Sequence, residues 1–199
     1  MARQRVELRR DEILAATIIQ VEANGLARTR VSDVAAALDV SPGLIFYHFT
    51  TKDALLVAAF EHRITQDLAL LDSAVLHGDD AVDRLRRVLA VYGPTGAAFG
   101  WRIWIDAWSL ALRDPGICRA LRHLDERWRK VLADVLARGV ADGAFVCADP
   151  NGSAARLGAL LDGLSVATLV YGTVSRGQLR TWVQEAAAIE VGVDARELA

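Results

Sequence analysis

One stretch decides the fold of the N-terminal region: VSPGLIFYHFTTK, residues 40–52. It places Gly43 inside a predicted helix and follows it with five apolar or aromatic side chains in six positions. A helix that only packed against a neighbour would need apolar residues along one side. We therefore expect one side of this helix to pack in a core and the other to contact a partner.

The residues before this stretch complete a predicted helix-turn-helix. A second helix is expected over 31–38, joined to the third by Asp39, Val40 and Ser41. Ser41 is a suitable N-cap, with Pro42 at the first helical position, and Asp39 takes the left-handed turn position where glycine is more usual. Two helices joined by so short a connection are typical of DNA-reading domains.

The rest of the chain is also predicted to be helical, because no strand-like alternation persists. We expect an all-α fold, with a three-helix N-terminal domain, a larger C-terminal helical bundle and about nine helices in total. Capping residues set the expected helix ends. The first two expected helices span 6–24 and 31–38, the third begins at Pro42, the fourth spans 52–76 and the fifth runs from Asp79 or Asp80 to Tyr92. The next two span 95–113 and 117–141, and the last two begin at Pro150 and at Ser175. The tail from Gly192 is expected to be frayed.

Composition narrows the class of protein. A chain of 199 residues that is 53% apolar can bury a core without disulfides, so Cys118 and Cys147 are interpreted as small apolar side chains kept reduced. The charged N-terminus and the lack of eighteen consecutive apolar residues predict a cytoplasmic protein that is not inserted in a membrane. The net charge is −2, with +1 over 1–52 and −3 over 53–199. Affinity for nucleic acid must therefore come from the placement of charges.

No catalytic or metal-binding motif is present in the sequence. The four histidines are scattered at positions 48, 62, 77 and 123, and there is no P-loop, G-x-S-x-G or H-E-x-x-H pattern. We predict no enzyme activity, no metal and no cofactor, and a helical enzyme is the least favoured alternative.

The 40–52 stretch resembles the signature of the TetR family of bacterial transcriptional repressors, V-S-x-G-x-(L/I)-Y-x-H-F-x-(S/T)-K. The similarity continues upstream through TRVSDVAAAL and DEILAATIIQVEANG and covers residues 9–60. One position departs: Phe46 stands where the family usually has a tyrosine, and so lacks a hydroxyl for a DNA phosphate. The resemblance implies a DNA-binding domain over 1–52 (helix-turn-helix about 30–49, signature region to about 66) and a ligand-binding and dimerisation domain over 53–199.

Residue chemistry and the resemblance together predict the DNA contacts. Gly43 lets the backbone approach a base edge closely, and Tyr47 and Lys52 can reach phosphates. Leu44 offers apolar contact to a thymine methyl, although packing remains an alternative for it, for Phe46 and for His48. The predicted core residues of this helix are Ile45 and Phe49. The predicted DNA-contacting residues are Thr29, Arg30, Ser32, Ser41, Pro42, Gly43, Leu44, Phe46, Tyr47, His48 and Lys52.

The segment WRIWIDAWSLAL predicts one apolar stripe on a helix of the C-terminal body. Three indoles in one stripe can line a chamber for a flat or cationic ligand, and an ordinary core face is the alternative. Asp106 is expected to pair with Arg102 at the surface, with a role as ligand counter-ion as the minority alternative. The segments from Trp101 through LRDP, LDERWRKVLADVLARGVADGAF and AARLGALLDGLS resemble the C-terminal body of the choline-responsive betaine-pathway repressors. This resemblance makes choline-like effectors a hypothesis and leaves the effector open. The predicted pocket residues are Trp101, Trp104, Ile105, Trp108 and Trp128.

The last two helices carry more apolar residues than an internal core needs. The resemblance implies that they form a four-helix bundle with a second chain, and the homodimer would then read a palindromic operator. The effector would shift the helix over 52–76 and release the operator, whereas an activating or architectural DNA-binding protein without effector control remains an alternative. The predicted dimer residues are Leu157, Leu160, Leu161, Leu164, Thr168, Tyr171, Leu179, Trp182, Val183 and Ala186.

Overall fold

The computed structural model describes residues 2–92 and 99–199, with the side chains of residues 9–92 and 101–199. Those residues form nine α-helices and no strand, which confirms the all-α prediction. In chain order the α-helices are α1 (Ala2–Asn24), α2 (Val31–Ala37), α3 (Pro42–His48), α4 (Lys52–Leu76), α5 (Ala81–Tyr92), α6 (Phe99–Ala111), α7 (Pro115–Ala141), α8 (Pro150–Val166) and α9 (Arg176–Val191). A π-helical turn (Ala167–Tyr171) follows α8, and a 3-10 turn (Ala195–Leu198) follows α9.

Local capping chemistry sets most of the helix ends. α1 stops at Gly25, whose φ of +80° is left-handed. The Ser41 hydroxyl accepts a hydrogen bond from the Leu44 backbone N–H at 3.4 Å and so caps α3. Asp149 caps α8, and Ser175 with Gln178 forms a capping box on α9. These predictions are confirmed, whereas the cap predicted at Thr95 lies outside the described residues.

The chain divides into two compact units. The first contains Met1–Gln66 and Arg102–Arg122, and the second contains Asp67–Trp101 and His123–Ala199. The DNA-binding domain expected over 1–52 therefore folds together with the start of α4, most of α6 and the start of α7. Helices α4, α6 and α7 each contribute residues to both units.

The core of the first unit holds the helix-turn-helix together. Ile45 is fully buried and Phe49 nearly so, which confirms that this side of α3 packs inward. They join Ile13 and Leu14 of α1 in one apolar cluster. Asp39 adopts the predicted left-handed conformation, with a φ of +51°, and so allows the tight turn between α2 and α3.

The core of the second unit is built from the second half of α4 together with α5, α7, α8 and α9. It also includes Leu198, which is fully buried, so the prediction of a frayed tail is wrong. An Asp194–Glu197 capping box orders the 3-10 turn, and the Gln184 amide donates to the Leu198 carbonyl at 2.7 Å. The buried Leu198 side chain therefore holds the tail against the core.

In the described ranges, one helical stretch, Pro150–Tyr171, is long and apolar enough to cross a membrane. Leu157 and Leu161 on its inner side are buried in the core of the second unit. Arg156 and Ser153 on the same helix bind Glu190 of α9, at 2.6 Å in each case. The buried leucines of this stretch thus belong to a protein core, whereas Val170 and Tyr171 at its end are exposed.

Candidate DNA-binding and effector sites

Helix α3 turns the side opposite its core contacts to solvent. Tyr47 is 78% exposed and Phe46 47% exposed, so Phe46 is no core residue. A Cβ placed on Gly43 would meet, among the described residues, only the Ser41 hydroxyl oxygen, at 3.7 Å. The surface of α3 therefore combines exposed aromatic rings with a position that lets another molecule come close to the backbone.

The rim of this surface is basic. The Lys52 ammonium donates to the Ala27 carbonyl at 3.3 Å, which places it beside the α1–α2 turn. Arg30 and Ser32 are exposed at the start of α2. Arg28, which sequence reasoning missed, is exposed in the same turn as Ala27. Positive side chains here lie where phosphate contacts would position a recognition helix.

Thr29 does not belong to this surface. Its side chain is 1% exposed, and its hydroxyl donates to the Gly25 carbonyl at 2.9 Å. The prediction of a phosphate contact through this side chain is therefore wrong. Thr29 instead stabilises the turn that follows α1.

The residues predicted for one effector pocket are divided between the two units. Trp104, Ile105 and Trp108 belong to the first unit. Trp104 is buried there, and its ring centroid lies 5.0 Å from that of Phe60 in an edge-to-face arrangement. Trp104 is therefore a core residue, which is the alternative that the sequence left open.

Trp101 and Trp128 belong to an aromatic cluster in the second unit. The Tyr92 ring lies 4.6 Å from the Trp128 ring and 6.0 Å from the Trp101 ring, centroid to centroid. The Trp101 indole N–H donates to the Tyr92 carbonyl at 2.9 Å. The Tyr92 hydroxyl donates to Asp162 of α8, also at 2.9 Å. We call these four residues the aromatic–carboxylate cluster.

Asp162 is unusual because it is a half-buried acid that is hydrogen-bonded to the central tyrosine of this aromatic cluster. Burial raises its pKa to about 6, although the hydrogen bond from Tyr92 lowers it, and the neighbouring Asp125 raises it further. Burial and the Asp162 charge also raise the pKa of Tyr92, which stays a donor. A carboxylate beside π faces favours a bound cation. Sequence reasoning missed Asp162, whose only signal is a lone acid in the apolar run LGALLDGLS.

A cavity of about 310 Å³ in the second unit has different chemistry. Leu89, Leu179, Val183 and other apolar side chains form its walls. Arg180 and Arg86, the latter ion-paired with Asp83, also line it, and no acidic side chain among the described lining residues offers a cation an opposite charge.

Asp106 does not make the ion pair that we predicted. Its carboxylate accepts a hydrogen bond from the backbone N–H of Leu26 at 3.1 Å, rather than pairing with Arg102. This acceptor joins α6 to the α1–α2 turn inside the first unit.

Four predicted dimer residues are buried in the chain's own core and cannot contact a second chain. These residues are Leu157, Leu161, Leu179 and Val183. The reason is that α8 and α9 pack on the rest of their unit through these positions. Leu164 and Ala186 are partly buried against the same core, and Leu160 and Thr168 are also half-buried.

Four exposed apolar residues lie on α9 and on the π-helical turn that follows α8. Tyr171 and Trp182 were predicted from the sequence, while Val170 and Ile189 were missed. Ile189 is 83% exposed. We call these four residues the apolar strip.

Comparisons with known proteins agree with this geometry. Residues 81–191 match the family model of the BetI-type transcriptional repressor C-terminal domain, and residues 13–59 match that of bacterial regulatory proteins of the tetR family. The HTH-type transcriptional regulator BetI of Paraburkholderia phymatum is 28% identical, and that of Burkholderia cenocepacia is 31% identical. Each match covers 79% of this chain and 80% of the relative.

Solved structures of similar fold include two regulators. A transcriptional regulator from Saccharomonospora viridis in complex with choline superposes with a TM-score of 0.84 at 25% identity, covering 93% of this chain and 98% of that one. A TetR-family regulator from Rhodococcus has a TM-score of 0.77 at 28% identity, with 92% and 98% coverage. The chain therefore belongs to the TetR family of bacterial regulatory proteins, has a BetI-type C-terminal domain, and is a transcriptional regulator.

Proposed function

We propose that this regulator is a cytoplasmic homodimeric repressor that binds a palindromic operator through α3 and releases it when a small cation binds at the aromatic–carboxylate cluster. The observation that carries the proposal is Asp162, a half-buried carboxylate that accepts a hydrogen bond from Tyr92, whose ring packs against two indoles. The exposed surface of α3 supplies the DNA contact.

The cluster favours a quaternary ammonium such as choline over other ligands. Aromatic rings attract a cation through their π faces, and Asp162 supplies the opposite charge. The Saccharomonospora viridis regulator of the same fold is in complex with choline. The 310 Å³ cavity is a poorer site for this ligand because its described lining contains no acidic side chain.

Effector control also explains why an acid is kept at this half-buried position. A carboxylate whose pKa is raised by burial destabilises the folded protein at neutral pH, and groups retained at such a cost are typical of binding sites. A regulator without effector control would have the same α3 surface but no use for Asp162. An activator and a repressor would share both features, and the position of the operator relative to the promoter separates them.

The DNA-binding part of the proposal is tested by selecting binding sites from a random duplex library with the purified protein. We expect an enriched inverted repeat whose half-sites lie about one helical turn, roughly 34 Å, apart. Recovery of unrelated sequences, with no enrichment over the starting library, would contradict it.

The apolar strip is the proposed dimer interface, because exposed apolar patches of this kind mark association surfaces. Replacing Trp182 by glutamate is expected to convert the dimer into a monomer at micromolar concentration and to weaken operator binding. Light scattering measures the change. Leu76→Glu, which alters an exposed leucine elsewhere in the second unit, serves as the control. A Trp182→Glu protein that stayed dimeric would exclude this interface.

A further inference from the structure

The cavity of about 310 Å³ in the second unit has no part in the proposed function. Its volume lies at the lower end of the range of small-molecule sites, which is roughly 300–1,000 Å³. Its apolar walls are aliphatic, and no aromatic ring occurs among the described residues that line it. The larger of these wall side chains are Leu89, Leu161, Leu179, Val183 and Leu198. Walls of this kind fit a hydrocarbon chain better than a flat ring.

The polar side chains that line the cavity are a glutamine and two arginines. The Gln184 amide already donates to the Leu198 carbonyl at 2.7 Å, and so holds the 3-10 turn against α9. Arg180 is exposed at the rim, and it makes no ion pair within the part of the chain that the structure describes. Its guanidinium is therefore available to a ligand, whereas the amide of Gln184 is not.

The balance of charge at the rim is positive. Arg86 shares the Asp83 carboxylate with Arg87, whose Nε lies 2.6 Å from the second carboxylate oxygen. Arg86 also donates to the Ala199 carbonyl oxygen at 3.5 Å. Even with a carboxylate at Ala199, these acids are outnumbered once Arg180 is included. A ligand that carries a carboxylate would find an opposite charge and a planar pair of donors here.

The cavity opens on the side of α9 that faces away from the apolar strip. Arg180 precedes Trp182 by two residues and Gln184 follows it by two, so each lies about 160° around the helix from Trp182. Ile189 lies about 20° from Trp182 by the same geometry. A second chain packed on the apolar strip would therefore leave the cavity accessible.

We propose that this cavity is a second ligand site, for an aliphatic monocarboxylate such as a medium-chain fatty acid. The carboxylate binds the Arg180 guanidinium at the rim, and the hydrocarbon chain lies among the leucines and Val183. The aromatic–carboxylate cluster offers an acid to its ligand, so the two sites select ligands of opposite charge. The inference goes beyond the proposed function and requires neither choline nor DNA.

Octanoate is the probe, and 1-octanol is a neutral control with the same number of carbons. Binding to the full-length protein is measured by calorimetry, with and without choline. Wild type is expected to bind octanoate saturably and octanol more weakly. Arg180→Leu, which removes the charge from an exposed position, should weaken octanoate binding about tenfold or more without loss of octanol affinity. Arg138→Leu, which alters an exposed arginine of α7 outside the cavity, should bind octanoate like wild type.

Methyl NMR on the wild-type protein locates the probe without any variant. Nuclear Overhauser effects are expected between the octanoate chain and the methyl groups of Leu89 and Val183. Effects to Trp128 instead, competition between octanoate and choline, equal octanoate affinity in wild type and Arg180→Leu, or no binding at millimolar octanoate would each overturn the inference. All four results leave the proposed function standing. Failure of choline to bind would refute the proposed function and leave the octanoate result unaffected.

Discussion

Replacing Gly43 by valine is expected to lower operator affinity about 100-fold or more without unfolding the protein. The new side chain projects from the exposed first turn of α3, where only the Ser41 hydroxyl oxygen lies near it among the described residues. The folded protein therefore accommodates it. On DNA, the same methyl groups hold the helix away from the base edges and weaken several contacts at once, each worth about 1–3 kcal/mol.

The measurement is a binding titration with the selected operator, together with a melting curve. Gly177→Val is the matched control, because Gly177 lies at the same position after a serine N-cap in α9. Among the described residues, a Cβ on Gly177 would meet only the Ser175 hydroxyl oxygen, at 3.9 Å. The control should bind the operator like wild type. A Gly43→Val protein with normal affinity would exclude α3 as the recognition helix.

Replacing Asp162 by asparagine is expected to stabilise the protein at pH 7 and to abolish tight binding of choline. Folding raises the pKa of Asp162 from 3.8 to about 6. Between these two pH values the folded protein holds a proton on Asp162 that the unfolded chain has lost. Wild-type stability therefore falls as the pH rises from about 4 to 6 and stays low above. Asparagine does not ionise, so the free energy of unfolding of Asp162→Asn should exceed that of wild type by on the order of 1–3 kcal/mol at pH 7 and by almost nothing at pH 4.

Urea unfolding at pH 4 and pH 7 measures the stability, and tryptophan fluorescence measures choline affinity. We expect affinity to fall at least about tenfold in Asp162→Asn, and wild-type affinity to decline below pH 6 as Asp162 becomes protonated. Asp134→Asn, which removes an exposed carboxylate paired with Lys130, should change neither quantity much. Unchanged choline binding in Asp162→Asn would exclude the cluster as the effector site.

The helix-turn-helix was predictable from sequence because its determinants are local. Gly25, Ser41 with Pro42, and Asp39 each set a cap or a turn through their own backbone and side-chain chemistry. Thr29 shows where local chemistry stops being sufficient. It resembles Ser32 in the sequence, yet only Thr29 is buried, because the turn after α1 folds back over it.

Long-range packing explains what the sequence could not supply. The sequence pattern indicated that α8 and α9 are rich in apolar residues. It could not show that Leu157 is buried and Ile189 exposed, because that depends on which side of each helix packs against the rest of the unit. Asp162 meets Tyr92 across 70 residues, and Asp106 meets Leu26 across 80. No local sequence pattern predicts such pairs. An isolated acid in an apolar helix is nevertheless a reason to look for a partner to that acid.

Reciprocal titration of the operator and choline tests effector-controlled DNA binding most directly. Linkage requires that choline weaken operator binding by the same factor by which the operator weakens choline binding. We predict a factor of about ten or more in both directions at pH 7, with a smaller factor below pH 6. Operator affinity that stays constant from zero to saturating choline would contradict the proposed function.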